Sequence, residues 1–92
     1  MIYAEFEEQP HVIDLVQFLR GRFPQVEYGQ QMDAWIWITD QQMKVSLDTF
    51  TSRCLQIKAP AASQSLARRV LEAVGKYYDL RLIDPPEWEG HE

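Results

Sequence analysis

The sequence predicts an α+β two-layer sandwich, with an antiparallel-rich sheet of four to five strands covered on one face by two helices, in the order β-α-β-β-β-α-β. Two observations lead there: two stretches repeat apolar residues at helical spacing, and around them apolar residues recur at every second position. A ferredoxin-like plan with an added strand is the simplest topology for that order. The chain divides into one domain over residues 1–84 and an acidic tail over 85–92.

The first element is "IYAEF", in which Ile2, Ala4 and Phe6 alternate with Tyr3 and Glu5 as a half-buried strand requires. In the following stretch Val12, Leu15, Val16, Leu19 and Phe23 form one helical stripe. Pro10 suits the first helical position, Glu7 and Glu8 the positive end of the helix dipole, and Arg20 and Arg22 the negative end. Gly21 and Pro24 mark the exit, and a short edge strand is expected at Val26 to Tyr28.

The centre reads as a meander whose inward rows are Met32, Ala34, Ile36, Ile38, then Met43, Val45, Leu47, then Leu55, Ile57, Ala59. Pairing buried rows with buried rows sets Ile38 opposite Met43, hence Trp37 opposite Lys44 and Trp35 opposite Ser46. One register of the next hairpin would bring Lys44 opposite Lys58, which demands a slip of two residues or an anion nearby. Ser63 is then expected to cap a second helix with Leu66, Val70, Leu71, Val74 and Tyr77 inward. A last strand follows, with Leu80 and Leu82 inward, before the proline-stiffened tail "PPEWEGHE".

Ninety-two residues, 46% hydrophobic and 25% charged, suffice for one core. No apolar run reaches the roughly 18 residues that span a bilayer, and the acidic N-terminal stretch does not have the pattern of a secretory signal. With a single cysteine, Cys54, these features place the chain in the cytoplasm. The net charge of −5 argues against nonspecific nucleic-acid binding. Charge is nonetheless segregated: residues 1–40 hold seven acids and two bases, residues 41–81 three acids and seven bases, and residues 82–92 four acids.

The sheet face opposite the aliphatic rows is amphipathic, and it carries two of the three tryptophans. Tyr3, Trp35, Trp37, Lys44, Ser46, Gln56 and Lys58 form the candidate partner-binding surface there, with Lys44 able to lie over the Trp37 ring. Trp88, between Glu87 and Glu89, adds a candidate anchor in the tail. The occupants that fit such a face are a second copy of the chain, a different protein, or the tail itself folding over Lys44 and Lys58.

Catalytic groupings are missing from the pattern. His11 falls in a first helical turn and His91 near the end, with no Cys/His cluster to hold zinc. Cys54 lies near Arg53 and Lys58 without a second cysteine or a partner histidine. Ser52, Ser63 and Ser65 have no nucleophile-elbow context, and the four glycines are too scattered for a phosphate loop. Asp33 and Asp40 stand at opposite ends of one strand, about 23 Å apart at 3.3 Å per residue, so they cannot share a metal with Asp48. The expectation is a non-catalytic interaction or regulatory module, homodimeric or bound to another protein, without cofactor or metal. The alternative is a single-stranded nucleic-acid binder stacking bases on Tyr3, Trp35 and Trp37 beside Arg53, Lys44 and Lys58.

Overall fold

The computed structural model describes residues 2–30, 32–50 and 54–82. Among these residues six strands form one antiparallel sheet in the order β2-β3-β4-β5-β1-β6, and two helices pack against it. The strands are β1 (Ile2–Phe6), β2 (Gln25–Gln30), β3 (Ala34–Asp40), β4 (Met43–Asp48), β5 (Gln56–Lys58) and β6 (Leu80–Leu82). The helices are α1 (Val12–Arg20), between β1 and β2, and α2 (Gln64–Gly75), between β5 and β6. The α+β class is therefore as expected, while the layout has six strands instead of four to five. The additional pairing comes from β2, which runs the full length of β3 from Gln25↔Thr39 to Gln30↔Ala34 and is no short edge fragment.

Burial follows the two sequence periods. The alternate residues Ala34, Ile36 and Ile38 of β3, Val45 and Leu47 of β4, and Ile57 of β5 join Ala4 and Phe6 of β1 in one core. Against them lie Val12, Leu15, Val16 and Leu19 of α1 and Leu66, Ala67, Val70 and Val74 of α2. Removing so much apolar surface from water is the main favourable term in the fold. An edge-to-face aromatic cluster closes one end of this layer: Phe18 meets Tyr77 at 5.3 Å and Tyr78 at 6.0 Å, and Tyr78 meets Phe6 at 5.7 Å.

Several inward expectations are corrected at the ends of elements. Met32 is 99% exposed because β3 begins two residues later, at Ala34, beyond the reach of the helix layer. Tyr77 is 66% exposed, since α2 ends at Gly75 and the chain turns there, so Tyr78 packs on the core instead. Leu82 is 70% exposed on the edge strand, while Leu80, two residues earlier on the same strand, is half-buried. Pro10 precedes α1 by two residues, and the N-cap position belongs to His11, which makes no side-chain cap bond. Ser63 is the N-cap of α2, but its hydroxyl caps no helical N–H. It accepts a hydrogen bond from the Lys44 backbone N–H at 2.9 Å and so fastens the start of α2 to the sheet.

The β3–β4 hairpin also corrects the expected register. A two-residue loop, Gln41 and Gln42, pairs Asp40 with Met43, so Trp37 faces Ser46, Thr39 faces Lys44 and Trp35 faces Asp48. Gln41 takes a positive φ of 59°, a conformation that usually selects glycine or asparagine, so no sequence signal announced the tight turn. Between β4 and β5, Lys58 pairs with Ser46 and not with Lys44, the two-residue slip that relieves the like-charge conflict.

Candidate functional site

The cross-strand registers place one residue from every strand in a single row on the face away from the helices. Read across the sheet, the row is Gly29, Trp35, Asp48, Gln56, Glu5 and Arg81. The next row holds Glu27, Trp37, Ser46 and Lys58, and the one after it Gln25, Thr39 and Lys44. This face divides into an aromatic half over β2 and β3 and a charged half over β4, β5, β1 and β6.

In the aromatic half, Trp35 and Trp37 are half-buried, with ring centroids 4.3 Å apart and planes inclined by 35°. Residues two apart on a strand stand about 6.6 Å from each other, so the two indoles lean together. The Trp35 ring lies on the Gly29 backbone of β2, where an added Cβ would sit 2.6 Å from the indole. Glycine is required here for close approach, since its φ is not positive. On the other side, the Lys44 ammonium stands 3.7 Å from the Trp37 ring centroid. The expected cation–π contact is thus present, made diagonally from Lys44, which pairs with Thr39, and not directly across. Such a contact contributes about 0.5–1 kcal/mol where exposed.

In the charged half, Glu5, Asp48 and Gln56 are buried. Burying a carboxylate is costly unless it is paired, and both acids are paired. The Asp48 carboxylate accepts from Lys58 Nζ at 2.8 Å and from the Phe50 backbone N–H at 3.2 Å. Glu5 accepts from the Arg81 guanidinium through one oxygen and from the Gln56 amide, at 3.2 Å, through the other. The sequence marked Gln56 and Lys58 as binding residues; the structure shows both engaged in holding this network. Asp48, Glu5, Arg81 and Gly29 were passed over as site residues, although their period-two positions already placed Glu5 and Asp48 on this face. Ser46 lies half-buried between Trp37 and Lys58 in its row. The side chain of Tyr3, and Trp88 as a whole, fall outside the described residues, as does Arg53.

The groups considered for chemistry are dispersed. Asp33 accepts from the Thr49 hydroxyl at 3.2 Å, Asp40 pairs with Arg69 at 3.0 Å, and Asp48 pairs with Lys58. His11 is exposed, 3.7 Å from the Asp14 carboxylate. Among the described residues no cluster of three or more His, Cys, Asp or Glu is positioned to hold a metal ion. No helix among them is long and apolar enough to cross a membrane. Comparison with known proteins returns no match to any family model, curated protein or solved structure.

Proposed function

We propose that this chain is a small, non-catalytic interaction module of the cytoplasm that associates with a second copy of itself through the aromatic sheet face. The observation that carries the reading is the contiguous, tilted Trp35–Trp37 pair, half-exposed on the sheet face opposite both helices. A tryptophan side chain buries about 150–250 Å² when fully covered, of which a part is still open at Trp35 and Trp37, and interface cores are enriched in this residue. The charged half of the face favours the same reading. Because Asp48 is already matched by Lys58 and Glu5 by Arg81, apposing two such faces buries neutral pairs in place of bare charges. A two-fold arrangement then lets each copy offer the same patch.

The nucleic-acid alternative has less in its favour. Bases would have to displace Lys44 from the Trp37 ring, and Lys58 and Arg81 are committed to carboxylates. The test is absolute mass by size-exclusion chromatography with light scattering over a hundredfold concentration range, on the parent and on Trp37→Ala. Trp37 is the informative position, because Trp35→Ala also uncovers Gly29. A dimeric parent and a folded, monomeric Trp37→Ala are expected. A parent that stays monomeric throughout, or a variant that assembles like the parent, rejects the proposed surface.

A further inference from the structure

A second feature lies away from the tryptophan face and uses none of its residues. Between the last turn of α2 and β6 runs an open groove of about 460 Å³. Its floor is apolar, made by Leu71, Leu80 and Leu82, and its rim carries the carboxylates of Glu7, Glu72 and Asp79. The rim is held together by the main chain, for the Glu7 N–H donates to the Asp79 carbonyl at 2.9 Å. All three rim carboxylates are exposed, and none forms an ion pair among the described residues, while no Lys, Arg or His lines the groove. This differs from the sheet face, where the acids are matched.

Gly75 lines this space without a side chain. It ends α2 with an ordinary negative φ, so the backbone there does not require glycine, and glycine weakens a helix relative to alanine. A Cβ at this position would meet nothing nearer than Leu80 Cδ1 at 3.9 Å. A large side chain here would stand against the Leu80 side of the groove. Glycine at Gly75 leaves the apolar floor open, against helix propensity and without conformational need.

We propose that this groove docks a basic segment of a partner protein, an apolar side chain seated on Leu71, Leu80 and Leu82 and flanking Lys or Arg residues drawn to Glu7, Glu72 and Asp79. Charge complementarity selects that occupant. The chain's own residues 83–92 have the wrong sign, with four acids and no Lys or Arg. Leu80 and Leu82 belong to β6, an edge of the described sheet, which suits a segment bound in extended form.

The probe is a fluorescein-labelled hexapeptide alternating lysine and leucine, titrated by anisotropy against the full chain, with a glutamate-for-lysine peptide as control. Saturable binding of the lysine peptide only is expected, weakening with salt. Gly75→Leu places a large side chain in the groove and Leu82→Ser removes an exposed part of its floor, both without altering net charge. Each is expected to weaken binding by about tenfold, the loss of one well-seated apolar contact. Trp37→Ala is expected to bind like the parent. The proposal is overturned if the parent does not bind, if the glutamate peptide binds as well, if both groove variants bind like the parent, or if Trp37→Ala abolishes binding. Circular dichroism of each variant confirms the fold, and Leu82→Ser, at an exposed position, keeps the test valid should Gly75→Leu not fold.

Discussion

The two faces of the sheet are built from the same strands and solve different problems. The helix-covered face is a continuous aliphatic layer in which Ile36, Ile38, Val45, Leu47 and Ile57 have no exposed surface. The opposite face also buries residues, but they are Glu5, Asp48 and Gln56, and they are held by named partners instead of by packing alone. On the first face burial itself is stabilising, and an apolar residue of similar volume is usually tolerated. On the second, burial is tolerable only while each polar group keeps its partner. One strand can therefore be robust on one side and particular on the other.

Substitutions can test that contrast. The largest effect belongs to the aliphatic face: Ile36→Ala is expected to lower stability by about 3–4 kcal/mol in urea unfolding, because it opens a cavity in a fully buried layer. A loss under about 1 kcal/mol would mean that this layer is loosely packed. Next comes Lys58→Met, which leaves the buried Asp48 carboxylate without its ammonium and is expected to cost about 2 kcal/mol, below the roughly 3–5 kcal/mol of a fully buried pair because Lys58 is partly exposed and Asp48 keeps the Phe50 N–H. Adding Asp48→Asn in the same chain should recover part of the loss, and strictly additive losses would show that the two side chains are not coupled. The smallest effect is expected for Gly29→Ala, about 1 kcal/mol, since the new Cβ must push the Trp35 indole aside. The same change should alter the near-ultraviolet circular dichroism of the Trp35–Trp37 pair. An unchanged spectrum would contradict the close approach of ring and glycine.

What the sequence disclosed follows the same division. The aliphatic rows and both helical stripes were legible because they depend on local period, and period is written in each segment by itself. Trp35 and Trp37 were legible as a shared face for the same reason. The register was not, since it depends on a two-residue loop in which Gln41 adopts a left-handed φ without a glycine to signal it. Nor was the row joining Arg81, Glu5, Gln56, Asp48, Trp35 and Gly29. It needs the order of all the strands, above all the insertion of β1 between β5 and β6, and no local pattern encodes that. Ser63 shows the point at one atom: a serine before a helix reads as a cap, whereas its hydroxyl serves a sheet N–H 19 residues away in the chain.

The place of β1 also bears on how the chain reaches this structure in time. Strands β2 to β5 are neighbours in sequence and in space, so they can pair as they leave the ribosome. The first strand cannot. Its partners are residues 56–58 on one side and 80–82 on the other. Glu5 can meet Arg81 only after the 75 residues between them have been made. Such distant pairings slow folding, because the entropy of closing the loop is lost before any contact compensates it. Of the six described strands β1 comes earliest in sequence, yet its pairing is complete only once β6 is present.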